Sequence, residues 1–192
     1  MKRVSMTVAV VLTVLLLAGC AQTGQQLRLA PDAEVDESAI GDGRTVALRV
    51  VDEREHPRLG QLENRDGEHA DLVGTAEVED VVRQAVEEGL RASGFTVTDW
   101  DADASRRLEI RVLDLEHRVS AGVSRDVSTR IELRSEGHRG ESRLSGQARA
   151  RDSDRITYRP SAEDNQAYLD AVLSRALGRL LNVDLLEFLA AD

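Results

Sequence analysis

Leu108-Glu109-Ile110-Arg111-Val112 and, further along, Asp126-Val127-Ser128-Thr129-Arg130-Ile131-Glu132-Leu133 decide the fold of this chain. Leu108, Ile110 and Val112 alternate with charged residues. Val127, Ile131 and Leu133 do the same among Asp126, Ser128, Arg130 and Glu132. That two-residue period is the signature of a strand with one face buried and one in water. The turn formers Ser135-Glu136-Gly137-His138-Arg139-Gly140 lead from the second stretch into Leu144–Ala150, a hairpin by pattern. Sheets of this kind are antiparallel, since parallel strands are covered on both faces and lose the alternation.

Outward from this meander the period changes to that of helices. Val78, Val81, Val82, Ala85, Val86 and Leu90 recur at three- and four-residue steps, with Thr75 placed to cap and Gly94 placed to stop the helix. Phe95-Thr96-Val97-Thr98 then reads as a short strand. Val46–Val51 is a β-branched strand ahead of the helix, and the charged stretch Asp52–Gly74 between them reads as a long loop. At the other end Ser161-Ala162-Glu163-Asp164 has the form of a capping box. Leu169, Val172, Leu173, Ala176, Leu177, Leu180 and Leu181 continue as one apolar stripe. Asn182–Asp184 interrupts it before Leu185, Leu186, Phe188 and Leu189. The expected fold is α/β (α+β): a two-layer sandwich, a mostly antiparallel sheet of four to five strands with an internal helix and a C-terminal helix on one face.

The N-terminus carries different information. Lys2 and Arg3 precede the uncharged run Met6–Leu17, which is shorter than the roughly 20 residues needed to span a bilayer. It closes with Leu17-Ala18-Gly19-Cys20. This is the layout of an export signal ending in a lipobox, in which small residues admit a peptidase and the thiolate of Cys20 accepts diacylglycerol. Cys20 is the only cysteine of the 192 residues, so no disulfide can form within the chain. More than one fatty acid on it gives stable membrane attachment, which a single chain does not. Ala21 follows it, where an aspartate would resemble an inner-membrane retention signal. The expected location is therefore the outer membrane of a Gram-negative cell, lipid-anchored and facing the periplasm. The expected organisation is a signal peptide at 1–19, the lipidated cysteine and a polar tether at 20–45, and one α/β domain at 46–192. Inside the tether Leu27-Arg28-Leu29 alternates and is stopped by Pro31, which permits a short edge strand.

Removal of residues 1–19 takes Lys2 and Arg3 and leaves 23 arginines, no lysine and 35 acidic residues, a net charge of −12. A surface this acidic repels nucleic-acid phosphates and gives no net electrostatic hold on anionic lipids. The chemistry-bearing patterns are few. His56, His69, His117 and His138 have no two members three or four apart, and no further cysteine is present to complete a structural zinc site. No serine sits in a Gly-x-Ser-x-Gly elbow; Gly122-Val123-Ser124-Arg125-Asp126 lacks the second glycine. Gly41-Asp42-Gly43 precedes a strand, whereas a dinucleotide-binding turn follows one. Asp99-Trp100-Asp101-Ala102-Asp103-Ala104-Ser105 echoes the start of a calcium loop. However, Ala104 replaces the required glycine and Ile110 the closing glutamate, so it reads as an acidic turn with Trp100 exposed. The sequence thus implies no catalytic residue, no metal and no cofactor. It implies a membrane partner through the acyl chains and an envelope protein partner.

Several stretches together resemble the YajG-type family of uncharacterised proteobacterial lipoproteins. They are Leu27-Arg28-Leu29-Ala30-Pro31, Val50-Val51-Asp52-Glu53-Arg54 with Leu59-Gly60, and Leu90-Arg91-Ala92-Ser93-Gly94-Phe95-Thr96-Val97. The Leu108–Leu115 strand and the terminal helix from Asp184-Leu185 to Phe188-Leu189 complete the set. The likeness spans nearly all of the chain beyond Cys20 and departs most in Val127–Ala150, which is richer in arginine and glutamate. It implies export, anchoring and the α/β fold, and assigns no catalytic residue. Three functions compete: a non-enzymatic envelope binding or assembly module, an auxiliary lipoprotein of an ABC-type or lipid-transport system, and a cell-wall or lipid hydrolase. The first accords best with the missing catalytic patterns.

Overall fold

The computed structural model describes residues 24–192; Leu17, Ala18, Gly19 and Cys20 lie outside the described residues. Eight strands join in one curled sheet: β1 (Gln25–Leu27), β2 (Thr45–Asp52), β3 (Gly60–Glu63), β4 (His69–Gly74), β5 (Thr96–Asp99), β6 (Arg106–Val119), β7 (Arg125–Arg139) and β8 (Ser142–Ile156). Three helices, α1 (Val78–Ala92), α2 (Ala162–Leu180) and α3 (Val183–Ala190), accompany them.

The β6–β7–β8 meander is antiparallel over its whole length, as the alternation predicts. Its strands are longer than their apolar cores, because cross-strand charged pairs extend the ladder beyond them. Around the meander the sheet is mixed rather than mostly antiparallel, and larger than four to five strands. β2 runs parallel to both β5 and β6, β3 runs parallel to β6, and β1 runs parallel to β4. The parallel pairing of β2 and β5 follows from α1, which carries the chain back along the sheet between them. The extra strands lie where a long loop was expected: β3 and β4 form an antiparallel hairpin around Asn64–Glu68. The buried hydrophobic side chains in that stretch are Leu59, Leu62, Ala70 and Leu72 alone. Four apolar residues spread through charged ones leave a faint alternation.

β6 is the strand on which the others depend. One of its edges pairs with β7 throughout; the other pairs with β2 at Arg107–Val112 and with β3 at His117–Val119. Between these partners a bulge at Leu113 adds one residue. The buried positions accordingly change parity, from Leu108, Ile110 and Val112 to Leu115, His117 and Val119. Without the extra residue the second half would turn its apolar side chains to water.

The helices cover one face. α1 packs on β2 and β5, and α2 packs on β7, β8 and β1, so the edge strands β1 and β8 meet on the same helix. Ala148 and Ala150 of β8 give α2 room. Ser161 caps α2 as predicted: its hydroxyl accepts from the Asp164 N–H, and the Asp164 carboxylate accepts from the Ser161 N–H. Asn182 separates α2 from α3 and caps the latter. At α1, by contrast, Thr75 is not the cap. Its N–H donates to the Leu27 carbonyl, and the helix begins two residues after Ala76.

Residues 24–45 are not a free tether. Gly24 and β1 lie against β4, and Leu27, Leu29 and Ala33 are buried in the common core. The edge strand is β1, Gln25–Leu27, two residues earlier than the alternation of Leu27-Arg28-Leu29 suggests, and Arg28 and Leu29 lie past its end. Beyond it the chain lies along α2 in an extended strap. The N–H groups of Arg28, Ala30 and Asp32 donate to Gln166 Oε1, Asp170 Oδ1 and Ser174 Oγ, at 3.3, 2.9 and 2.9 Å. The donors step by two along the strap and the acceptors by four along the helix, so each period keeps its groups on one line. Gly178 and Gly89 then let Ala33 pass between α2 and α1. A polar composition concealed this, since the strap is held by polar groups.

The tightest backbone approach lies at Gly60, where an added Cβ would stand 1.9 Å from the His117 carbonyl oxygen. Gly60→Ala should therefore destabilise the domain by about 3 kcal/mol as β3 is pushed off β6. Equilibrium urea unfolding checks this, and an unchanged midpoint would refute the β3–β6 register.

Candidate functional site

The face of the sheet opposite the helices is lined by the alternate residues of β2, β6, β7 and β8, and these are mostly charged. Arg49 and Arg111 both bind the Glu109 carboxylate, and Arg111 also reaches Glu53. Arg130 bridges Asp114 and Glu116, each at 2.7 Å, while Arg118 shares Glu116. Arg149 sits on Glu132 and Arg155 on Asp126, both at 2.8 Å, and Arg143 and His138 share Glu136. Exposed pairs of this kind contribute little stability individually. Their effect is to fix the positions of guanidinium and carboxylate groups across four strands. Glu109 differs, for its side chain is only 7% exposed. Burial alone would raise its pKa, but hydrogen bonds and charge from Arg49 and Arg111 outweigh this and hold the carboxyl below its ordinary value. Trp100 stacks on the Arg49 guanidinium at 4.1 Å and is partly covered, not exposed as expected.

A groove of about 360 Å³ opens on this face where β6 changes partners. The β2–β3 connection forms one wall with Arg54, His56 and Arg58; Asp114, Glu116 and Arg130 form the other. Arg54 is anchored rather than free. Its guanidinium grips Asp52 with two bonds of 2.8 and 2.7 Å and donates to the Arg58 carbonyl. The groove offers both signs of charge on a rigid frame, which suits a polar partner better than an apolar ligand.

A second polar cluster has a buried centre at His117, Thr129 and Asn165. His117 Nδ1 lies 2.7 Å from Thr129 Oγ1, and its Nε2 lies 2.9 Å from Asn165 Oδ1. Asn165 in turn donates to Gln25 Oε1 at 2.7 Å, and Gln25 donates to the Pro160 carbonyl. Burial lowers the His117 pKa, only partly offset by the Asn165 bond, so the ring is neutral at pH 7. Neutral imidazole has one donor and one acceptor nitrogen, and the amide and the hydroxyl supply the complements. Tyr168 stacks on this ring with centroids 5.9 Å apart and donates to Asp154. Burial and the Asp154 carboxylate push its phenol up to about 12. The network joins β6, β7, α2 and β1, and it is structural: His117 has no accessible surface.

The structure brings none of the four histidines together. His56 lies in the groove, His69 opens β4, His117 is enclosed and His138 meets Glu136. The turn that echoes a calcium loop is occupied internally. Asp99 accepts from Arg83 at 2.7 Å, and Asp101 accepts from the Asp103 N–H. Among the described residues no three His, Cys, Asp or Glu side chains converge as metal ligands. Sequence reasoning missed the His117 network, although the signal was present: His117 falls in the buried phase between Leu115 and Val119 once the bulge is counted.

A family model described as an uncharacterised lipoprotein matches residues 31–189. The chain belongs to that family, the YajG-type group. No curated protein matches it. Among solved structures it is similar to a Xanthomonas campestris protein of the DUF330 family. The TM-score is 0.53 at 12% identity, covering 86% of this chain and 96% of that one. An uncharacterised protein gives a TM-score of 0.49 at 8% identity, covering 84% and 100%. The first of these shows a shared fold and nothing about activity.

Because the folded state keeps His117 neutral while the unfolded chain titrates near 6.5, protons bind preferentially to the unfolded chain below that value. Stability should be fully present above pH 6.5 and fall as the pH drops below it, by at most about 1.4 kcal/mol per pH unit from this residue. Urea unfolding of the wild type and His117→Gln across that range tests the expectation. Equal pH slopes in the two proteins would rule out His117 as the titrating group.

Proposed function

We propose that this lipoprotein is held in the outer membrane by fatty acids on Cys20, faces the periplasm, and acts without catalysis as a binding or assembly module of the envelope. The observation that carries the reading is the uncovered sheet face. Its arginines and carboxylates are fixed by one another across β2, β6, β7 and β8, and the groove by Arg54, Arg58 and Arg130 lies at its centre. A rigid, ordered charge pattern discriminates among partners through complementarity and fixes their register. Membership of a lipoprotein family supports the anchor, and Ala21 after Cys20 supports the outer membrane.

Two measurements test this. Cys20→Ser should leave an unprocessed, unlipidated precursor that no longer fractionates with the outer membrane; normal maturation would refute the anchor. A photocrosslinking residue at Arg134 or Arg151, on the uncovered face, should capture a defined envelope protein in cells, whereas one at Glu88 on α1 should not. Equal capture from both positions, or none from the sheet face, would refute the contact surface.

A further inference from the structure

We infer that the end of the domain from which the chain leaves toward Cys20 is itself a membrane-contact surface, binding the phospholipid headgroups of the bilayer that holds the anchor. The inference rests on the lipidation of Cys20 proposed above. Four residue steps separate Cys20 from Gly24, which is packed against the Asp71 carbonyl. Fully extended, those steps span at most about 14 Å. A domain so closely held cannot float free of the headgroups; one of its surfaces must face them.

The strand registers identify that surface. Gln25 begins β1 beside Leu72, Glu63 pairs with His69, Leu62 with Val119, and Arg125 with Ile156. The Asn64–Glu68 turn, the β6–β7 loop and the segment after β8 therefore gather at one end with β1. The Gln25 side chain confirms the neighbourhood by donating to the Pro160 carbonyl at 3.3 Å. Two of the four exposed large hydrophobic residues among those described stand here, Val123 at 80% and Tyr158 at 52% exposure. Both lie two residues beyond the Arg125–Ile156 pair, on adjoining segments.

The same end holds a recess of about 240 Å³ lined by Arg65, Arg125 and Arg159, with Glu63 on its wall. Arg125 donates to the Ser120 carbonyl. Arg65 and Arg159 meet no carboxylate among the described residues, although acidic residues outnumber basic ones in the chain. Three guanidinium groups about one recess match the oxygens of a phosphate. Tyrosine sits at the level of headgroups, its ring in the apolar margin and its hydroxyl in water. Glu63 beside the arginines pairs with the ammonium of a zwitterionic headgroup such as ethanolamine. The overall negative charge does not oppose this contact, because the headgroup that fits carries both signs.

The test uses the lipidated mature protein in vesicles of phosphatidylethanolamine with a minor fraction of phosphatidylglycerol. Trp100 is the only native tryptophan. It follows Asp99, which lies beside Leu48 and hence Leu108, eleven residues up β6 from Val119. At the rise of a strand it is roughly 35 Å from the proposed contact. Tyr158→Trp in a Trp100→Phe background should lose most of its emission to lipids brominated near the carbonyl end of the acyl chain. The native protein should lose none. Adding Arg65→Ser and Arg159→Ser should restore the emission at position 158 while flotation with the vesicles is unchanged. A floating protein whose position 158 is quenched no more than Trp100 overturns the contact surface alone. Failure of the wild type to float overturns the anchor, and this inference with it.

Discussion

β6 must bury side chains on one face along fourteen residues while its neighbour on one edge changes halfway. The rest of the fold hangs on how that is achieved. The last bond to the β2 side is Glu53 N–H to the Val112 carbonyl, and the first to the β3 side is His117 N–H to the Leu59 carbonyl, each 2.9 Å. The Leu113 bulge occupies the gap. One added residue keeps Leu108, Ile110 and Val112 in the same layer as Leu115, His117 and Val119. It also provides the local bend that a bulge imposes, so the sheet can curl until β8 and β1 meet on α2. The Arg54–Asp52 clamp, with the Arg54 side chain only 4% exposed, holds the β2–β3 connection against the same spot.

The curl brings the edge strands β1 and β8 towards each other, and α2 covers both. Against β1 it offers Asn165 to Gln25, then the acceptor line of Gln166, Asp170 and Ser174 to the strap. Against β8, whose far edge has no strand partner, it sends Arg175 and Arg179 to the carbonyls of Arg151 and Arg149. An open fifteen-residue edge would invite pairing with another chain, and the guanidinium groups occupy two of the carbonyl acceptors such pairing would use. Burial raises the Asp170 pKa despite its bonds from Ala30 and Gln166, which marks the strap as a covering layer and not a loose appendage.

Local periodicity made most of this legible. The meander, the three helices, the Ser161 box and the break at Asn182 follow from patterns only a few residues long, where side-chain period and backbone geometry coincide. What stayed hidden is non-local. The parallel pairings of β2 with β5 and β6 are set by where α1 returns the chain. The β3–β4 hairpin owes its place to the vacant half of the β6 edge. Composition alone marked the strap as solvent-facing, yet its polar groups are satisfied by a helix distant in sequence. The site was legible to a smaller degree. Arginine and glutamate between Val127 and Ala150 stood out as unusual, but only the registers show that they interlock with β2 and β6 across one face.

The same structure changes the meaning of the segment after Cys20. A free tether of 25 residues would lift the domain by roughly 25–30 Å and leave its orientation unspecified. Packing Gly24 onward against the core leaves three residues between it and Cys20, so the lipid anchor proposed there would also orient the domain. With the β1 end toward the bilayer, β6, β7 and β8 run away from it. In the proposed orientation their charged face would lie along the periplasmic space and not against the membrane. The helices are turned to the other side. An anchor that fixes only distance needs no particular fold beside it. One that fixes direction needs the chain close behind it to be part of the core, and the hydrogen-bonded chain from Gln25 through Asn165 to His117 makes it so.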